Sequence, residues 1–351
     1  MKKIIVLLLV VAALLLTGCQ KKEPTVEPTT QTTTQKADPV YYDFLTGVKK
    51  DDKSRPRPVA VTVNNIEAAL PQYGISEADI IMEFPAEGGI TRLLALYNDY
   101  RKMPNVCSIR SCRYYFPIFA QGFGAVYFCY GSNETLGTPT LERIGIDYID
   151  GNKAGDTLVF ERDPERLQSY SLEHTAYLKG ENMEKIFKKY KFGKEIPEGF
   201  GDTVFAFSQK TLKFKQKCKE LTSVFSNYYE SKFTYDSKKK VYLKQHNGEN
   251  HMDVKSEKQL AFDNVIILQT DVNNYKGTVL VEINWKGGTG YYATNGTVRK
   301  ILWEKKSEAS PIKFYSLDKK PIKINTGKSY IGVGASDVII PVEKVTTTAK
   351  Q

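Results

Sequence analysis

Three arginines, Arg92, Arg110 and Arg113, stand at the ends of two apolar runs in the stretch GGITRLLALYNDYRKMPNVCSIRSCR, which begins at Gly88. A guanidinium is permanently charged, and its planar fork of donors matches a carboxylate or a phosphate. The runs, residues 90–97 and 106–109, read as strands. The arginines are therefore expected to converge on an anionic ligand. Asn64, Asn65, Ser111 and the backbone of Gly88 and Gly89 would line the same site. The alternative is internal pairing of these arginines with Glu83, Glu87 or Asp79 from neighbouring strands, a structural use of buried ion pairs.

A second candidate is His251 with Asp253, two residues apart and on one face if the segment is a strand. The other histidines, His174 and His246, show no metal spacing, so no metal is expected. The plain reading of the pair is a His–Asp contact at a strand end. The chain has no G-x-S-x-G, H-E-x-x-H, P-loop or dinucleotide fingerprint. A nucleophile and base drawn from Cys107 or Cys112 with His174 lacks supporting context. Glu83 and Glu87 are carboxylates that sequence alone does not place in space. The catalytic residues are thus unassigned, no cofactor is expected, and a non-catalytic protein is favoured.

The elements that hold these residues follow from pattern. Strands are expected over 57–65, 76–84, 90–97, 106–109, 125–130 and 156–162, with a short helix from Ile66 and helices over 114–121, 134–144 and 181–190. Strands alternating with helices indicate an α/β domain with a mixed sheet, and such sheets bind ligands beyond strand ends. A short strand is expected over 204–208, and from Ser223 onward the pattern turns to short strands, including 226–235, 241–245, 265–269, 277–285, 290–294, 297–304, 312–315 and 328–333. Asn247-Gly248 and Asn295-Gly296 between such runs are hairpin signals. The expected fold is α+β, with an α/β domain over 38–194 and a mostly antiparallel β domain over 195–343, followed by a tail at 344–351.

The first residues give an address. Met1-Lys2-Lys3, an apolar run from Ile4 to Leu16, and Leu16-Thr17-Gly18-Cys19 describe a signal peptide over 1–18 closed by a lipobox. The run is shorter than the roughly 20 residues of a membrane span. Lipidation is expected at Cys19, with residues 19–37, rich in Thr, Gln, Lys, Pro and Glu, as a disordered tether. This places the protein at the cell membrane, lipid-anchored on its extracytoplasmic face. The formal net charge of +10 suits anionic lipid headgroups or cell-wall polymers, and export argues against nucleic acid. Lysine clusters at 185–194, 210–219 and 238–240 also fit plain solvated faces. Besides Cys19 there are Cys107, Cys112, Cys129 and Cys218, an even number that permits disulfides in an exported chain, Cys107–Cys112 among them. Cys129 reads as a small buried residue.

The strand 57–61 (RPVAV), Asn64-Asn65, the run from Glu87 to Arg92 (EGGITR) and Arg110-Ser111-Cys112-Arg113 resemble, in this order, the DUF3048 family of bacterial lipoproteins. In the second half His251-x-Asp253 before Asn264-Val265-Ile266, and Gly287-x-x-Gly290 leading to Gly296 and Trp303, are similar to that family's C-terminal domain. The resemblance implies a two-domain surface lipoprotein and no established chemistry. Family members usually carry Gly-Pro where this chain has Cys107-Ser108. The layout of Gly89-Ile90-Thr91-Arg92 and Ser108-Ile109-Arg110-Ser111 is also similar to the LytR-CpsA-Psr phosphotransferases, whose arginines bind a polyprenyl pyrophosphate. Their Arg-Asp signature is missing, since Leu93 follows Arg92 and Ser111 follows Arg110. The expectation is a surface lipoprotein binding an anionic envelope polymer or lipid phosphate. The alternatives are a phosphotransferase-like envelope enzyme acting on lipid pyrophosphate and a scaffold or regulator of cell-wall enzymes, with cell-wall proteins as partners.

Overall fold

The computed structural model describes residues 39–341. The leader, Cys19, the tether and the 344–351 tail lie outside the described residues. The first half supplies β1 (Val59–Asn64), β2 (Ile80–Pro85), β3 (Thr91–Tyr97), α1 (Tyr115–Gln121), β4 (Val126–Cys129), α2 (Gly137–Ile144), β5 (Tyr148–Asp150) and α3 (Met183–Tyr190). The second half supplies β6 (Glu220–Val224), β7 (Glu230–Asp236), β8 (Val241–His246), β9 (Asn264–Gln269), β10 (Gly287–Thr294), β11 (Thr297–Glu304) and β12 (Ser329–Val333). None of the described helices is long and apolar enough to cross a membrane.

Eleven strands make one sheet, ordered β11-β10-β9-β12-β2-β3-β1-β4-β5, with the short segments Gln216–Lys217 and Lys313–Tyr315 both on β11. β9, β12 and β2 pair in parallel, as do β1, β4 and β5, while β3 runs against β1 and β2. These six strands, and β11 beyond the antiparallel β10, end at one edge of the sheet. The mixed sheet of the first half and the antiparallel hairpins of the second are as expected, and 39% strand with 17% helix is an α+β composition. The parallel contacts β9–β12 and β12–β2 carry the sheet unbroken from one half into the other. Hairpin spacing cannot announce them, because these neighbours are remote in sequence.

Side-chain alternation along the strands gives the sheet two apolar faces. Val61, Val63, Ile81, Leu93, Val265 and Tyr330 share one apolar cluster with Leu221, Phe233 and Tyr242 of a second sheet, β8-β7-β6, and with Ile186 and Phe187 of α3. Ala60, Ile80, Met82, Phe84, Leu94 and Ile331 pack instead against Tyr115, Phe116 and Phe119 of α1.

Asn247, Gly248, Asn295 and Gly296 all take positive φ, as tight hairpin turns require. Several elements are shorter than expected, for local reasons. The side chain of Asp156 accepts from the Leu158 amide and its carbonyl from Val159 and Phe160, so a turn replaces the start of the expected strand and only Phe160–Arg162 is extended. Asn133 caps the amides of Thr135 and Leu136, one turn ahead of α2. Tyr275–Gly277 is a turn, leaving Val281–Ile283 to pair with Val272–Asn274. Cys107, Cys112, Cys129 and Cys218 are all buried free thiols, so the Cys107–Cys112 bridge is absent. The Cys107–Ser108 peptide bond is cis.

Candidate functional site

The arginines do come together, at the edge where the parallel strands end. Arg92 is the second residue of β3, and Arg110 to Arg113 form the segment that enters α1. The Glu87–Gly89 turn leads β2 into β3, with Gly88 at φ +75° and Gly89 at φ +73°. Nothing would touch a Cβ at Gly88, so glycine is needed there for its backbone conformation and not for space. Ser226, from the loop after β6, donates to the Gly89 carbonyl at 2.6 Å and pins the turn.

The three guanidiniums are unequally satisfied. Arg113 Nε donates to Glu87 Oε1 at 2.6 Å and Nη1 to the Cys112 carbonyl. Burial disfavours both charges of this pair, but each partner's hydrogen bond outweighs it, raising Arg113 and lowering Glu87. Arg110 pairs with Glu173 Oε2 at 2.9 Å, with the glutamate largely in solvent. Arg92 is only 5% exposed, and its single bond runs from Nη1 to the Ser111 carbonyl at 2.8 Å. Among the described residues it has no ion pair, and its Nε is buried without a partner, as is that of Arg110. Burial first, then the charges of Arg113 and Arg110, push the Arg92 pKa down to about 10. Positive charge and unmet donors are thus concentrated at this edge.

The opposite face of the same strand end is closed. Thr91, next to Arg92, points to Glu83 Oε1 at 2.7 Å, and Asn65 Nδ2 donates to that oxygen at 3.1 Å. Glu83 Oε2 accepts from Ser231 at 2.7 Å and Tyr330 at 2.9 Å, with Lys244 Nζ at 3.5 Å. Lys244 Nζ donates to His251 Nδ1 at 3.0 Å, which leaves the proton of His251 on Nε2, 2.9 Å from Gln72 Oε1. Gln72 Nε2 returns the chain to the Asn64 carbonyl at 2.7 Å. Burial opposes the charge on Glu83, but the charge of Lys244 and the hydrogen bonds from Ser231 and Thr91 outweigh it and hold the carboxylate ionised. Burial lowers the Lys244 pKa against the pull of Glu83.

The two asparagines thus part company. Asn64 meets His174 Nδ1 at 3.0 Å, beside the glutamate that pairs with Arg110. Asn65 belongs to the Glu83 centre, not to the arginines. Ser111 lends its carbonyl to Arg92 and donates its hydroxyl to the Tyr130 carbonyl. His251 and Asp253 do not bond each other. The Asp253 carboxylate accepts from the amides of Ser76, Lys255 and Ser256. Of the expected internal partners, Glu87 does pair with Arg113, Glu83 serves Lys244, and Asp79 accepts from the Asn98 amide. Lys244 and His246 went unselected in the sequence, although the period of two along β8 puts both on the buried side with Tyr242.

Residues 45–193 match the N-terminal domain, and residues 221–331 the C-terminal domain, of the family described as "Protein of unknown function (DUF3048)". The chain belongs to the DUF3048 family. It is 27% identical over 294 residues to the "Putative lipoprotein YerB" of Bacillus subtilis, covering 82% of this chain and 85% of that one. The crystal structure of YerB protein from Bacillus subtilis is similar with a TM-score of 0.74 and 25% identity, over 86% of this chain and 99% of the other. The EGGITR and RSCR motifs that carry the DUF3048 resemblance meet at one place in space, since Glu87 and Arg92 come from the first and Ser111 and Arg113 from the second.

Proposed function

We propose that this DUF3048 protein is anchored through a lipid on Cys19 to the outer face of the cell membrane and there binds an anionic envelope ligand at the arginine edge. The ligand chemistry is a phosphate, from a lipid headgroup or an envelope polymer. The observation that carries this is Arg92, almost wholly buried, without an ion pair among the described residues, and crowded by two further guanidiniums. Its position where parallel strands end is the usual place for a ligand on an open sheet. Arg110, Arg113 and Ser111 would complete the cradle.

The test is a sedimentation assay of the full chain with purified envelope fractions and with phosphatidylglycerol vesicles across a salt series. Binding that weakens with salt, and is lost in Arg110→Ala at an unchanged melting temperature, is the expected result. Salt-insensitive binding, or binding untouched in Arg110→Ala, would remove the arginine edge from the account. Magnesium-dependent turnover of a lipid pyrophosphate would favour a phosphotransferase instead.

A further inference from the structure

Of the two carboxylates at the arginine edge, Glu173 is the looser. Its partner Arg110 is fixed, since the Arg110 amide donates to the Thr62 carbonyl at 3.0 Å and its carbonyl accepts from the Tyr130 amide at 3.0 Å. Arg110 Nη1 meets Glu173 twice, at Oε2 at 2.9 Å and at the backbone carbonyl at 3.2 Å. The Glu173 side chain is 55% exposed, against 18% for Glu87 on Arg113. A carboxylate largely in water holds its partner weakly and exchanges readily, whereas the Arg113–Glu87 pair is shielded from solvent on both sides.

The turn that carries Glu173 is nonetheless built to present it. Asn64 Oδ1 accepts from the Ile66 amide, which turns Nδ2 to His174 Nδ1 at 3.0 Å and leaves the proton of the neutral histidine on Nε2. That nitrogen stands 3.7 Å from Glu173 Oε1, so the carboxylate lies between a guanidinium and an imidazole N–H. Arg166 Nε donates to the His174 carbonyl at 2.9 Å and holds the turn from behind. Asn64 thus reaches the arginines through His174 and Glu173.

The guanidiniums keep room for a ligand. Among the described residues the Nη2 atoms of Arg92, Arg110 and Arg113 make no hydrogen bond, and unlike the Nε atoms of Arg92 and Arg110 they are not sealed from solvent. An anion that takes Arg110 competes with Glu173 for the same fork, while Glu87 stays on Arg113. We infer that Glu173 is the resident counter-ion of the anion site, an autoinhibitory carboxylate that the ligand phosphate displaces from Arg110. This rests on the anion-binding reading above and adds to it a built-in competitor.

Calorimetric titration of the full chain in detergent with inorganic pyrophosphate at low salt tests this, with melting temperatures alongside. Glu173→Gln should tighten binding about three- to fivefold at an unchanged melting temperature, because the side chain is largely in water and a neutral amide competes less for Arg110. Glu173→Asp, which keeps the charge but is one methylene shorter, should tighten it about twofold. Glu165→Gln, exposed just before the 166–168 turn, should leave it nearly unchanged and controls for charge acting at a distance. Parent binding that Glu173→Gln leaves unchanged or weakens, or equal tightening by Glu165→Gln, would overturn the inference and leave the anion site standing. Failure of the parent and of Glu173→Gln alike to bind by about 1 mM would remove the anion site and the inference with it. Binding seen only in Glu173→Gln would be the expected result in its strongest form.

Discussion

Two buried polar centres share the amino end of β3, Thr91 turning to one and Arg92 to the other. On the Thr91 side Glu83 and Lys244 are both 0% exposed, and the charges are answered on the spot by Thr91, Asn65, Ser231, Tyr330 and His251. On the Arg92 side three guanidiniums meet two carboxylates, one of them largely in solvent. Burial is as deep at Arg92 as in many structural ion pairs, so burial does not separate the two. The answering of charge does. A network whose charges are met fixes the packing of two sheets. A buried guanidinium with a free donor and like-charged neighbours costs stability, and a bound anion would remove that cost.

The contrast can be pressed from its strongest consequence to its weakest. Lys244→Met leaves an ionised Glu83 without its counter-charge in the interior. Urea unfolding should show a loss of about 3–5 kcal/mol, and the double variant Glu83→Gln/Lys244→Met should recover much of it. Anion binding should not change in either.

Acid should act on the closed centre next. Burial, then the charge of Lys244, lower the His246 pKa to about 4 from an ordinary 6.5. The unfolded chain takes up this proton below about pH 6.5 and the folded chain only below about 4. Stability should therefore fall as pH drops through that window, by roughly 1.4 kcal/mol per unit for this one group. His251, also lowered by burial and by Lys244, adds a slope of the same sign. Asp79, raised to about 6 by burial and by Asp43, slopes the other way over part of the range. Comparing the pH profile of His246→Phe with that of the parent isolates the first contribution, and the variant should show the flatter curve.

At the arginine edge the effects on stability should be smaller. Arg113→Ala breaks a half-buried pair with Glu87, and chemical unfolding should register a loss of about 1–2 kcal/mol. Arg110→Ala removes a pair whose glutamate is mostly in water, so the melting curve should shift by less than about 1 kcal/mol equivalent.

Much of the arginine edge was legible in the sequence. Arg92 and Arg110 punctuate β-type runs, and the glycine pair before Arg92 marks the turn that brings Glu87 to Arg113. The division of Asn64 from Asn65 was not, because consecutive residues at a strand end point to opposite faces and the sequence does not say which face holds which partner. The Glu83–Lys244 centre was hidden for a related reason. Its members come from β2, β3, β7, β8 and β12, and only the parallel pairing of β12 with β2 puts Tyr330 beside Glu83. A lysine in a strand reads as solvent-facing until the parity of Tyr242 and His246 around it is noticed. Hairpins were read from their Asn-Gly turns because that signal is local. Contacts between the halves were not, because no local signal specifies them.

The most direct measurement is calorimetric titration of the full chain with inorganic pyrophosphate, for the parent and for Arg92→Met, beside the melting temperature of each. An anion site at Arg92 predicts binding that weakens with salt and falls at least about tenfold in the variant, whose melting temperature is unchanged or higher because a buried, unpaired charge has gone. Pyrophosphate binding that survives the substitution, or a variant that melts many degrees early, would contradict it and make Arg92 a structural residue.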